Sequence, residues 1–241
     1  MADCPRRRQR LAQDRSPDDA QGDARLAEGG SRRAPRAART SKRTRIQREN
    51  AERIMDAALE VFSREGFRGA TIDQIADAAE MSKPNLLYYF PGKEEIYRAL
   101  LDRLLETWLA PLREMDAGGE PRHEIRDYIR RKLEMARDYP RESRLFAGEI
   151  MRGAPLLGEA LKGPLKDLVD EKAAVIEGWI RQGRLARHDP RHLIFAIWAT
   201  TQHYADFDVQ VRAVLGDEGE GRFSDAARFL ERVFLDGLLP R

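Results

Sequence analysis

Residues Thr71 to Lys93, TIDQIADAAEMSKPNLLYYFPGK, constrain the fold more than any other stretch of this chain. They read as two short helices with a tight break between them. Thr71 is a good N-cap, and Asp73 follows in the first turn, where a negative charge suits the helix dipole. Ile72, Ile75, Ala76 and Ala79 recur at helical spacing and give the first helix one apolar face. Glu80-Met81-Ser82 interrupts that pattern. Ser82 can cap a second helix, and Pro84 is tolerated only because it falls in that helix's first turn. Leu86, Leu87, Tyr88, Tyr89 and Phe90 continue the helix, and Pro91-Gly92 stops it.

Two small helices joined by a three- or four-residue turn have the helix-turn-helix shape. Its second helix presents N-terminal residues to base edges in the major groove. Here those residues are Ser82, Lys83, Pro84 and Asn85, which are short or polar. An ordinary helical hairpin gives the same pattern. The basic segment upstream and the Tyr88-Tyr89-Phe90-x-x-Lys93 ending favour DNA.

Residues 47–100 resemble the DNA-binding domain of the TetR family of bacterial transcriptional regulators. The resemblance rests on Ile54, Ala57, Ala58, Leu59, Phe62 and Gly66-Phe67, then Thr71-x-x-x-Ile75-Ala76, Ser82-Lys83 and Tyr89-Phe90-x-x-Lys93. It implies an all-α fold: a three-helix helix-turn-helix domain over residues 45–93, then a helical ligand-binding and dimerisation domain over 94–241. It also implies DNA contacts from Thr71, Ser82, Lys83, Pro84, Asn85, Tyr88, Tyr89 and Lys93, to which Arg45, at the end of the basic segment before the domain, is added. Two departures are visible. Where the family usually has Gly in the turn, this chain has Glu80, which in a left-handed conformation costs roughly 1 kcal/mol. Asn85-Leu86-Leu87 replaces the commoner Thr and Leu-Tyr, so no operator sequence carries over.

The net charge of +2 hides an asymmetry. Residues 1–45 carry 13 Lys and Arg against 6 Asp and Glu, and the rest carries 30 against 35. The first 44 residues, rich in Ala, Gly, Pro, Gln and Ser, read as a disordered basic tail. Its last part, Arg32 to Arg45, would add salt-sensitive phosphate contacts. The single Cys4 excludes a disulfide framework, and no Cys/His spacing suggests zinc. No apolar run of about 18 residues is present for a membrane span, and the N-terminus lacks an apolar signal segment. A cytoplasmic location, no membrane and no cofactor beyond a small-molecule effector are expected. His203 and Asp206 lie three apart and His188 and His192 four apart. No Glu-x-x-His pair, phosphate loop or nucleophile elbow accompanies them, so catalysis is not expected.

After the reading head, a helix from Glu94 to about Met115 has a broad apolar face, ended by Pro111 and Gly118-Gly119. Helices follow over Glu124–Tyr139, Arg141–Arg152, Leu157–Gln182 with a kink or break at Gly163-Pro164, Arg191–Leu215 and Phe223–Leu238. In the last, Phe223, Ala226, Ala227, Leu230, Val233, Phe234 and Gly237 form one stripe, and Phe229 stands off it, suggesting a second buried face. The resemblance implies that the last two helices pair with their copies in a homodimer. A two-fold dimer sets two recognition helices about 34–36 Å apart, matching a palindromic double-stranded operator.

In Leu193 to Asp208, LIFAIWATTQHYADFD, Trp198 and Gln202 share a helical face. Either residue alone is more simply a core residue. A Gln amide among apolar side chains must find partners or cost about 1–3 kcal/mol. Carrying both donor and acceptor, it complements the edge of a cyclic amide or imide, and an indole offers a flat face for a ring. Segments such as Trp108-Leu109-Ala110-Pro111-Leu112, Ser143-Arg144-Leu145-Phe146 and Ile197 to Phe207 resemble the branch of the family that answers to pyrimidine bases. By that resemblance uracil or thymine is the effector that releases DNA, Trp198 and Gln202 are the leading contacts, and Trp108 and Phe146 are further walls. A family member answering to an amphipathic drug or acyl compound is the competing expectation, with a larger, mostly apolar pocket.

Overall fold

Strong helix formers dominate the chain from Ala37 onward, and the backbone follows them. The structure is a computed structural model that describes residues 36–216 and 221–238, with side chains over 45–216 and 221–237. Helix α1 spans Arg36–Gly69 and buries Ile54, Ala58, Val61 and Phe62. Gly66, at φ 65° and ψ 173°, interrupts its last turns in a conformation that favours glycine. Phe67 then turns in to meet Tyr97, with ring centroids 4.8 Å apart.

Helix α2 covers Ile72–Ala78 and α3 covers Lys83–Tyr89. Thr71 caps α2 through a reciprocal box: its Oγ1 accepts from the Gln74 amide at 3.2 Å, and its own amide donates to Gln74 Oε1 at 2.8 Å. Ser82 caps α3 by accepting from the Asn85 amide at 3.4 Å. The turn between them holds Glu80 at φ 52°, the left-handed conformation that favours glycine. Leu86 anchors α3 and is fully buried, whereas Leu87 is 39% exposed.

Helix α4 (Lys93–Arg113) carries apolar residues on several sides, and α5 (Pro121–Asp138), α6 (Pro140–Met151) and α8 (Lys166–Arg181) pack around it. Helix α5 in turn packs mainly on α9 (Pro190–Asp206) and α11 (Gly221–Leu238). Lys172 donates to the Met115 carbonyl at 3.1 Å and Trp179 to the Ala117 carbonyl at 3.2 Å, tying α8 to the α4–α5 connection. The described residues from Arg43 onward form one compact unit. Among the described residues there is no strand, and no helix is long and apolar enough to cross a membrane.

The sequence expectations need five adjustments. The tail expected to be disordered over 1–44 is helical from Arg36, since Ala37-Ala38 and the basic residues after them favour helix; residues 1–35 and Cys4 with them lie outside the described residues. Pro111 does not end α4. The helix runs on to Arg113, where Glu114 N still reaches the Ala110 carbonyl at 3.1 Å, and Leu112 is fully buried. Gly163-Pro164 does not break its helix outright. A short α7 (Gly158–Ala160) leads into a π-helical turn, Leu161–Leu165, and then α8.

The helix expected over 191–215 splits at Phe207 into α9 and α10 (Asp208–Leu215). The Ser143 hydroxyl bonds Asp206 at 2.5 Å, and Arg144 donates to the Ala205 carbonyl at 3.2 Å, so α6 holds the end of α9. On α11, Phe223, Ala226 and Leu230 are buried as expected. Val233 joins Phe229 on an exposed face instead, the two being 52% and 62% exposed.

Candidate functional site

At the reading head, Thr71, Ser82, Lys83, Pro84, Asn85 and Tyr88 are all exposed at the ends of α2 and α3, and Arg45 is exposed on α1. Lys83 Nζ pairs with Asp73 at 2.9 Å, and Arg45 with Glu49 at 3.0 Å. The Tyr88 hydroxyl accepts from Gln47 Nε2 at 3.4 Å and the half-buried Tyr89 hydroxyl from Asn50 Nδ2 at 2.8 Å, so α1 steadies α3. Arg53 extends the same support by donating to the Ala79 carbonyl at 2.6 Å. Lys93 stands apart. Its ammonium donates to the Ala70 carbonyl at 2.7 Å and sits 4.8 Å above the Phe67 ring, which commits it to holding α4 against the end of α1.

A cavity of about 240 Å³ lies among α4, α5, α6, α9 and the π-helical turn. Trp108, Phe146, Trp198 and Gln202 all line it, although they come from three helices. Leu105, Leu109, Lys132, Ile150, Leu161 and Leu165 complete the wall. The last two belong to the π turn, a geometry often found at functional sites.

The two indoles are not equivalent. Trp198 Nε1–H donates to the Tyr128 hydroxyl at 2.5 Å, so its ring is held and its donor is used. Trp108 is 5% exposed, and its Nε1–H has no acceptor among the described residues. Buried donors are almost always paired, and this unpaired one belongs to a residue that lines the cavity.

Lys132 is 3% exposed, with Nζ 5.6 Å from the centre of the Trp108 ring. Burial pulls its ammonium down to about 8, against a smaller opposing pull from Asp206. Burial likewise pushes the Asp206 carboxyl up, opposed by its Ser143 hydrogen bond and by Arg144, Lys132 and His203. Trp108, Lys132 and Gln202 therefore bring an indole, a cation and a carboxamide to a wall that is otherwise apolar and aromatic. Such a wall has the size and polarity to take a small molecule. No cluster among the described residues could hold a metal ion.

Lys132, which lines the cavity, and Tyr128, which holds Trp198, are the site residues that sequence reasoning missed. Both lie on the buried stripe of α5 with Ile129, Leu133 and Ala136. A lysine at helical spacing among inward apolar residues is the signal that could have found the first.

Comparison with known proteins agrees with this organisation. The family described as "Bacterial regulatory proteins, tetR family" matches residues 54–100, and "YcdC-like protein, C-terminal region" matches residues 101–241. The HTH-type transcriptional regulator RutR of Escherichia coli strain K12 is 50% identical over 204 residues, which is 84% of this chain and 96% of that protein. Among solved structures, a TetR-like transcriptional regulator from Rhodococcus sp. RHA1 superimposes with a TM-score of 0.58 at 25% identity, covering 85% of this chain and 98% of the other. The ketosteroid transcriptional regulator KstR2 of Mycobacterium tuberculosis gives 0.61 at 20% identity, over 79% and 95%. An exposed, capped helix-turn-helix, a helical body closed around a small cavity and half-identity across most of the chain leave one conclusion: this protein belongs to the TetR family of DNA-binding transcriptional regulators and is not an enzyme.

Proposed function

We propose that the protein is a homodimeric repressor that grips a palindromic operator and lets go when uracil or thymine enters the cavity beside Trp108 and Gln202. The observation that carries this reading is the convergence of Trp108, Phe146, Trp198 and Gln202 on one cavity, with the Trp108 indole donor unpaired. A pyrimidine base has two carbonyls flanking an N–H. Gln202 complements that edge, Trp108 and Lys132 supply donors to the carbonyls, and the Trp198 ring takes the base face. At about 240 Å³ the space falls below the roughly 300–1,000 Å³ typical of drug-sized ligands. That size favours a base over an amphipathic drug or acyl chain.

On DNA, Ser82, Lys83, Pro84 and Asn85 read the major groove, while Thr71, Tyr88 and Arg45 meet phosphates beside it. Tyr89 and Lys93 keep the reading head in shape. Dimerisation is supported by the unpartnered apolar faces of the last helices: Phe195 on α9 is 47% exposed, and Phe229 and Val233 on α11 stand out together. The basic segment up to Arg45 adds non-specific phosphate contacts. A chain lacking residues 1–44 keeps sequence-specific binding with a shallower salt dependence.

The test is fluorescence anisotropy of a palindromic probe from the protein's own upstream region, titrated with and without uracil or thymine. Binding as a dimer that weakens at least tenfold with either base supports the proposal. Equal affinity in saturating base removes the effector, and a monomer on the probe removes the dimer.

A further inference from the structure

A second cavity, of about 530 Å³, lies between the C-terminal end of α1 and α6 and shares no residue with the first. We propose that it binds a flat organic anion, a ring carrying a phosphate or a carboxylate, at the joint between the reading head and the effector body. Four guanidinium groups line it, from Arg64, Arg141, Arg144 and Arg152, against one carboxylate, Glu60. Three of the four are held from behind. Arg64 pairs with Glu60 and Glu65 at 3.5 and 3.6 Å, Arg144 donates to the Ala205 carbonyl, and Arg152 bonds both Glu149 and the Tyr97 hydroxyl at 2.9 Å.

A guanidinium has five N–H donors, and these bonds engage only some of them. Arg141 makes no hydrogen bond or ion pair among the described residues and is exposed at the cavity rim. Arg141 and Arg144 are three apart on α6, so their free edges are neighbours and suit the forked recognition of a phosphate or carboxylate.

The floor is aromatic, and Phe67, half-buried over the 1%-exposed Phe62 and Tyr97, is the ring that can meet a flat ligand. Phe62, Phe67 and Tyr97 form one aromatic cluster, with Tyr97 centred 4.8 Å from each of the other two. All three line the cavity. A space of this volume takes a nucleotide-sized ligand. An occupant would bridge α1 of the reading head to α6, whose Phe146 and Ile150 line the first cavity. The site is therefore placed as a second input to DNA binding, and any coupling between the two ligands must be reciprocal.

Isothermal titration of the full-length dimer tests this with AMP and benzoate as the two sources of anionic ring, and with adenosine and inorganic phosphate as half-ligands. The expected result is saturable binding of AMP, benzoate or both, at least tenfold tighter than either half-ligand. Arg141→Ala should weaken it several-fold and Arg141→Ala with Arg144→Ala at least tenfold. Arg141 has no partner to lose, so its single variant folds as the parent does.

Binding by AMP alone assigns a phosphate-bearing ligand, and binding by benzoate alone a carboxylate-bearing one. No saturable binding by either, phosphate binding as tightly as AMP, or an unchanged affinity in Arg141→Ala overturns the proposal. A uracil titration of the same samples keeps the two readings apart: uracil binding unaltered in Arg141→Ala is expected, and its absence alongside AMP binding would sink only the effector.

Discussion

The reading head and the effector cavity handle their polar groups in opposite ways. In the reading head, Lys83, Tyr88 and Tyr89 face solvent or its edge, yet each is paired with a neighbour from the same short stretch or from α1. Water can replace those partners when DNA arrives, so the surface is stable both empty and occupied. In the cavity the Trp108 donor is left without an acceptor, and Lys132 keeps a charge that burial disfavours. A buried donor meets water less freely than an exposed one. On the proposed reading, DNA recognition is written in exposed residues close in sequence, and effector recognition in more enclosed ones gathered from afar.

The strongest test of that contrast is in the core rather than at either site. Leu86→Ala removes a fully buried anchor of α3 and should destabilise the reading head by about 2–5 kcal/mol. Leu87→Ala, at a half-open position, should cost under about 0.5 kcal/mol. Urea unfolding followed by circular dichroism separates them; equal losses would mean that α3 is not anchored by one face.

Next come paired losses in separate readouts. Gln202→Ala should weaken uracil binding by about 1–3 kcal/mol while leaving base-free operator binding intact. Asn85→Ala should weaken specific operator binding by about 1–3 kcal/mol and leave uracil binding alone. Calorimetry and anisotropy on both variants give a two-by-two table, and a variant that moves both readouts breaks the division between the sites.

Lys132→Met probes the buried charge directly. The folded-state value of about 8 lies below the ordinary 10.5, so folding favours the neutral amine. Lysine's contribution is full above 10.5 and is lost as the pH falls through 8. The Met variant should therefore be more stable than the parent at pH 7, by about 1–3 kcal/mol. The two should converge near pH 10.5, as thermal melts at several pH values would report. Uracil affinity should fall at the same time, since a donor has gone.

The legibility of the two regions follows the same divide. Caps, turn and apolar spacing of α2 and α3 are local, so Thr71, Ser82 and Pro84 could be read straight from the chain. The all-α order of helices was equally legible, because periodicity is local too. The break at Phe207 was not, since it is imposed by Ser143 and Arg144 of α6, about sixty residues away. Trp198 and Gln202 are four apart and visible as a pair. That Lys132 joins them depends on how α5 packs against α9, which no window of sequence contains. Val233 was misplaced because a stripe on α11 does not say which side faces α5.

The smallest effect gives the finest comparison, because among the described residues the reading head and the helical body after it each hold one non-glycine residue in the left-handed conformation: Glu80 at φ 52° and Ala154 at φ 53°. A side chain there costs roughly 1–2 kcal/mol. Glu80 is exposed, so Glu80→Gly relieves the strain and loses little packing; extra freedom in the unfolded chain takes back part of the gain. A net stabilisation of up to about 1 kcal/mol is expected, seen as a higher melting temperature with operator and uracil affinities unchanged. Ala154 is 6% exposed, and Ala154→Gly strips a buried methyl worth about 0.8 kcal/mol. Its relief and its loss nearly cancel, so its melting temperature should stay within error of the parent. Equal stabilisation by both substitutions would mean that the Ala154 methyl contributes nothing to packing. No gain from Glu80→Gly would mean that the turn between α2 and α3 is not strained.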